Sequence, residues 1–212
     1  MNRQFIQIGI GSVCELIDLA YHSWEGVFIE CHPHNFAQAC TAIYKEHPAV
    51  MDNISLVLGA VSEKDGFYQV GTNQILSKDA ESSLPAISGE NDRTRKSHYL
   101  YEIYAFSLET LFRRYPNADI LMLDIQGAEY EVLKGLSDFV PPLLIVEAHG
   151  PTLHRNLIEL MGNNGYEYLG YRFQTDDRDR PNLFFEYKQH PILTHLSDSE
   201  RQIIGVQEIK DD

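Results

Sequence analysis

Short apolar runs alternate with amphipathic stretches along the chain, and that alternation predicts strands and helices in turn, as a doubly wound α/β sheet requires. Phe5-Ile-Gln-Ile8 reads as a first strand and Gly26-Val-Phe-Ile29 as a second, while residues 53–58 predict a third and residues 66–70 a short extra one. Ile120-Leu-Met-Leu123 and Pro142-Leu-Leu-Ile-Val146 predict two further strands, the latter apolar throughout like a central parallel strand. Between them, Phe36, Cys40, Ile43 and Tyr44 form one helical stripe that ends before His47-Pro48. A helix is expected from Ser107 to Phe112, and another with Leu153, Leu157, Leu160 and Met161 on one face, stopped by Gly162 and Gly165. The final strands, residues 166–173 and 182–188, flank a charged loop and predict an antiparallel hairpin. Residues 191–212 are expected to form a tail with a short helix capped near Ser197 or Asp198.

The strand ends carry the chemistry. Gly9 and Gly11 follow the first strand, and Ser12 with Glu15 has capping-box spacing, which predicts a helix from about Ser12 whose positive end faces a ligand over the glycines. Glu30 ends the second strand 19 residues beyond Gly11. An acid at about that distance from a glycine turn is placed to accept hydrogen bonds from ribose hydroxyls. Asp124 ends its strand just before Gly127 and a helical pattern, so its carboxylate lies where α/β sheets meet their ligands, although an acid there is also a helix cap. Glu147 and His149 stand at the next strand tip. Glu129, in the first helical turn, is expected to favour the helix dipole.

Composition narrows the field. With 43% apolar residues in 212, the chain fills one core, expected as a single domain over residues 1–190. Seventeen basic against 31 acidic residues give a formal charge of −14, which argues against nucleic acid and anionic membranes as partners. Three cysteines without metal-like spacing fit reduced thiols, and no signal peptide or membrane span is evident, so a cytoplasmic enzyme without a leader is expected. The polar stretch 72–98 is too long for a simple connection and reads as a lid or insertion, locally basic through Arg93, Arg95, Lys96 and His98.

Gln7-Ile-Gly-Ile-Gly11, Phe28-Ile-Glu-Cys-His-Pro-His-Asn-Phe36, Leu58-Gly-Ala-Val-Ser-Glu-Lys-Asp-Gly66 and, most specifically, Leu123-Asp-Ile-Gln-Gly-Ala-Glu-Tyr-Glu-Val-Leu-Lys-Gly-Leu136 together resemble the FkbM family of S-adenosylmethionine-dependent methyltransferases. The resemblance implies a Rossmann-like class I fold, a mostly parallel seven-stranded sheet with a terminal antiparallel hairpin. It implies S-adenosylmethionine as cofactor, a small-molecule acceptor methylated on a hydroxyl, and a cofactor site of Gly9, Ile10, Gly11, Glu30, Cys31, Ala60, Ser62, Asp124 and Gln126. Glu30 would hold the ribose, and the backbone near Ala60 to Ser62 would lie beside the adenine. Ser82-Ser-Leu84 resembles an element of the family's corresponding loop. The chain departs from the family pattern at Val13, where a further glycine is usual, at Met122, where a lysine is common, and at Gln126, where a glutamate is frequent.

His149 is the expected general base, with Asp124 as the rival or as a partner of the cofactor's amino group. Asp124, Glu147 and His149 are also a mixed set of metal donors, but strand tips alone do not fix a coordination shell, and no metal is expected. Two rival readings stand beside the methyltransferase. One is an NAD-dependent oxidoreductase using Gly9, Gly11 and Glu30, against which the fingerprint's third glycine falls at Cys14; the other is a non-catalytic nucleoside-binding module, suggested by Val13, Met122 and Gln126.

Overall fold

The computed structural model describes residues 3–11, 14–71, 74–76, 101–136, 140–173 and 180–210. Ser12, Val13, most of the expected lid at 72–98 with its four basic side chains and Ser82-Ser-Leu84, and the hairpin loop at 174–179 lie outside the described residues.

The strands that the apolar runs predict form one seven-stranded sheet. In chain order its members are β1 (Gln4–Ile8), β2 (Glu25–Glu30), β3 (Ile54–Leu58), β8 (Ala118–Leu123), β9 (Leu143–Glu147), β10 (Tyr166–Phe173) and β11 (Pro181–Tyr187). The spatial order is β10-β11-β9-β8-β1-β2-β3. Neighbours from β3 to β9 are parallel, and β11 runs antiparallel to both β9 and β10. Four shorter strands, β4 (Ala60–Val61), β5 (Gly66–Gly71), β6 (Gln74–Leu76) and β7 (Tyr101–Phe106), form a second sheet in the order β4-β7-β5-β6.

Each face of the main sheet is covered. Ile6, Ile8, Leu121, Leu123, Leu144 and Val146 pack against α2 (Leu108–Arg114), α3 (Glu129–Leu133) and α4 (Gly150–Asn163). Phe5, Phe28, Ile120, Met122, Ile145 and Phe184 pack on the other face with α1 (Pro33–Glu46), the 3-10 turn Ile17–His22 and α5 (Asp198–Ile204). Alternate residues of a strand point to opposite faces, so a strand with apolar residues at both parities is buried between two layers.

Three local expectations are corrected. The helix expected from about Ser12 begins at Ile17 and is a six-residue 3-10 turn, its start held by the Leu16 amide donating to Gln7 Oε1 at 3.2 Å. Tyr44 leaves the stripe on α1 and is 70% exposed; the buried line runs through Ala39 and Ile43, with Phe36 and Cys40 half-buried. Residues 191–212, expected as a tail, send Ile192, Leu196 and Ile204 into the apolar layer beside Trp24 and Phe28.

Candidate active site

Strand register brings the chemical residues to one edge. Ile8 pairs with Ile29 on one side and Leu123 on the other, and Leu123 pairs with Val146, so Gly9, Glu30, Asp124 and Glu147 are the next residues in one row of strand tips. The chain passes Gly9 between its neighbours, the Gly9 amide donating to the Ile29 carbonyl at 2.9 Å and the Asp124 amide to the Ile8 carbonyl at 3.0 Å. Gly9 has φ +79°, and a Cβ there would lie 1.6 Å from the Asp124 carbonyl oxygen, so no other residue fits.

A cavity of about 420 Å³ opens over this row. It is lined by Gly9, Gly11, Glu30, Cys31, Ala60, Asp124 and Gln126 from the expected set, and also by His32, Asn35, Val61, Val70, Ile125 and Arg180. Two expected residues are placed elsewhere. Ile10 is 2% exposed with its side chain in the apolar layer, and the Ser62 amide donates to the Phe106 carbonyl, tying that residue to the second sheet. Sequence could have pointed to Val61, flanked by two expected residues; His32, Asn35 and Arg180 carry no pattern of their own.

Glu30 is 4% exposed. One carboxylate oxygen accepts the Gly11 amide at 2.9 Å and the other accepts the His32 amide at 2.7 Å, which fixes its orientation and leaves lone pairs free for further donors. Beside it, burial, with the charge and hydrogen bond of Glu30, raises the Cys31 thiol to about 12, so this cysteine is an inert neutral wall. The Tyr101 hydroxyl donates to the Cys31 carbonyl at 2.7 Å.

On the other side of Gly9, three donors converge. Atoms of Asp124, Glu147 and His149 all lie within 4.8 Å of one another. His149 Nε2 is 2.5 Å from Glu147 Oε2. Gln126, a non-glycine residue with φ +58°, donates from Nε2 to Asp124 Oδ1 at 2.7 Å. Burial and then the adjoining Glu147, through its hydrogen bond and charge, push Asp124 well above the usual carboxylate range. Burial also opposes ionisation of Glu147, but hydrogen bonds from His149 and Asp124 outweigh it and hold Glu147 low. The Glu147 hydrogen bond raises His149 against the effect of burial. Desolvation and the adjoining carboxylate therefore favour a proton shared between Asp124 and Glu147, and Glu147 orients the His149 imidazole.

Glu129 is fully buried in the first turn of α3, and its carboxylate accepts the Ile125 amide at 2.9 Å and the Gly127 amide at 2.9 and 3.2 Å. Those bonds shape the loop that carries Gln126.

Residues 7–173 match the family model described as the methyltransferase FkbM domain. The chain belongs to the FkbM methyltransferases. As a member of that family it is an S-adenosylmethionine-dependent methyltransferase, and the order of its sheet, with the antiparallel hairpin, is that of the class I fold. Among solved structures, M. capricolum TrmK in complex with S-adenosylhomocysteine superposes with a TM-score of 0.53 at 12% identity, covering 95% of this chain and 68% of that one. A putative tRNA methyltransferase of Streptococcus pneumoniae gives a TM-score of 0.52 at 11% identity, covering 95% of this chain and 76% of that one. The precorrin 8W decarboxylase of Methanobacterium thermoautotrophicum gives 0.51 at 14% identity, covering 87% and 81%. At such identities these structures share the fold with this FkbM methyltransferase. No curated protein matches the chain in sequence. Among the described residues, no helix is long and apolar enough to cross a membrane.

Proposed function

We propose that this FkbM methyltransferase methylates a hydroxyl oxygen of a sugar or another small metabolite in the cytoplasm. The observation that carries the reading is the adjacency, on one row of strand tips, of a cavity of about 420 Å³ holding an oriented carboxylate and a proton-sharing cluster. The residues present fit the cofactor. A cavity of that size suits a nucleoside, Gly9 and Gly11 present bare backbone, and Glu30 retains acceptor capacity for a ribose hydroxyl. In this assignment the main chain of Gly9, Ile10 and Gly11 flanks the methionine portion, Cys31 and the backbone of Ala60 and Val61 meet the adenine, and Asp124 and Gln126 receive the amino group.

S-adenosylmethionine, when bound, supplies a methyl group already activated by its sulfonium. The chain has then to hold the acceptor hydroxyl in line and take its proton. His149 is the proton acceptor in this reading, oriented by Glu147, and Asp124 is the alternative. The formal charge of −14 supports a small acceptor over a polyanion, even though one structural neighbour is described as a putative tRNA methyltransferase.

Calorimetric titration with S-adenosylhomocysteine, and separately with NAD, tests the cofactor site. Binding of the homocysteine nucleoside alone is expected, and Glu30→Ala is expected to weaken it by roughly 10- to 100-fold, the loss of charge-assisted bonds worth about 1.5 to 3 kcal/mol. Unchanged affinity in a folded variant would remove Glu30 from the ribose. Methyl incorporation into a panel of hydroxylated metabolites, with tRNA in parallel, tests the acceptor; turnover on tRNA alone would overturn the small-molecule reading.

A further inference from the structure

Resting on the methyltransferase reading, we infer that Asp124, Glu147, His149 and the amide of Asn182 form a divalent-cation site that gives the acceptor an electrostatic anchor. Donor atoms of the first three lie within 4.8 Å of one another. That is close to the span around a single ion, since donors at about 2.0 to 2.3 Å sit at most roughly 4.6 Å apart across it, and a shift of a few tenths of an ångström in one side chain brings all three within reach. The set combines two carboxylates with an imidazole, which suits Mn²⁺, Fe²⁺ or Zn²⁺ better than an all-oxygen site would.

An independent observation comes from the neighbouring strand. Asn182 is 0% exposed, and neither its Oδ1 nor its Nδ2 has a hydrogen-bond partner among the described residues. Such a group is expensive to bury unless a water or ion satisfies it. Asn182 stands directly opposite Glu147 in the antiparallel β9–β11 register. The two also share a face, because Asn182 alternates with Phe184 and Glu147 with Ile145 on the same apolar layer, and Asp124 follows Met122 on that layer too. Directly opposed residues have Cβ atoms about 5 Å apart, so the Asn182 side chain stands beside Glu147, a member of the cluster.

Charge balance points the same way. Glu129 adds a third buried carboxylate near the cluster, while Arg180 opposes a cation with a single charge. A cation would engage both carboxylates and the imidazole at once. At this strand tip it would favour acceptors with two adjacent oxygens, such as a vicinal diol or an α-hydroxy carboxylate, which can chelate. His149 is then a ligand while the cation is bound, rather than a free base.

The test is Mn²⁺ binding to the chelator-treated protein without any cofactor, followed by calorimetry and by loss of the free-ion electron-spin signal. One Mn²⁺ per chain is expected, with affinity falling at least 10-fold in Glu147→Gln and in His149→Ala, and several-fold in Asn182→Leu. S-adenosylhomocysteine affinity, measured on the same samples, is expected to stay within about threefold of the parent. Absence of stoichiometric Mn²⁺ binding in protein that binds S-adenosylhomocysteine would overturn the site, as would Mn²⁺ binding that ignores Glu147→Gln and His149→Ala; the latter would leave His149 as the base. Failure to bind S-adenosylhomocysteine with Mn²⁺ binding intact would instead refute the methyltransferase reading of the cavity.

Discussion

Two glycines in one turn separate the effects of backbone conformation and crowding. At Gly11, φ is +51° and nothing lies within 4 Å of an added Cβ, so Gly11→Ala should cost only about 1 kcal/mol of left-handed strain. At Gly9 the same change adds a Cβ 1.6 Å from a backbone oxygen that no rotamer can move, and a loss of about 3 kcal/mol or more is expected. Denaturant unfolding of the two variants checks the contrast, and equal losses would mean that the strand tips can part. The chemistry of single residues also decides what could be read without a structure. Glu30 and Asp124 were legible because spacing from a glycine turn and position after an apolar run specify a strand tip. Asn182 was not, because its meaning lies in the register that sets it against Glu147, and register between strands 35 residues apart in sequence leaves no local signal. At this scale His149 also has a kinetic test: His149→Ala should lower turnover by about a hundredfold or more with S-adenosylhomocysteine affinity unchanged, and normal turnover would return the imidazole to structure.

Helix α3 is an element whose stability comes from outside itself. Five residues cannot sustain a helix through propensity, since nucleation costs more than so few hydrogen bonds return. What holds it is Val132 and Leu133 packed on the sheet and Glu129 turned back to bind the amides of Ile125 and Gly127. Sequence reading assigns Glu129 to the helix dipole because an acid in a first turn commonly acts there; the loop's need for an acceptor becomes visible only when its amides are seen pointing inward. Glu129→Ala should therefore cost about 2 to 4 kcal/mol by leaving buried amides unpaired, with Glu129→Gln recovering part of it. Because the same loop carries Gln126 to the cavity, the alanine variant should also bind S-adenosylhomocysteine more weakly even where it remains folded. Stability lost without any change in affinity would show that the loop keeps its shape alone. The strands were far more legible than this helix, because burial between two layers writes an apolar run into the sequence directly. The second sheet was legible only in part: residues 66–70 were marked, but Ala60–Val61 is too short to show any period.

At the scale of the whole molecule, the C-terminal segment binds the two ends of the chain into one core. Glu200 of α5 accepts from Trp24 Nε1 at 2.7 Å and from Arg3 at 3.0 Å, while its second oxygen accepts the Ser197 amide and hydroxyl at 2.7 Å each. A helix cap near Ser197 or Asp198 was readable in advance; that Glu200 also ties the starts of β2 and β1 to the helix was not, because the partners lie 176 and 197 residues away. Burial alone would raise this carboxyl, but the bonds from Trp24 and Ser197, with the charge of Arg3, hold it down to about 2. A carboxyl depressed on folding contributes stability that is fully present above its unfolded value near 4.5 and disappears as the pH falls from there towards 2. Allowing for solvent screening, the contribution is on the order of 1 to 2 kcal/mol at neutral pH. Thermal melts of the parent and of Glu200→Gln should therefore differ by several degrees at pH 7 and converge between pH 4.5 and pH 2, because protonation makes the parent resemble the variant. A difference that persists undiminished at pH 2 would assign the stabilisation to packing of α5 rather than to its charge.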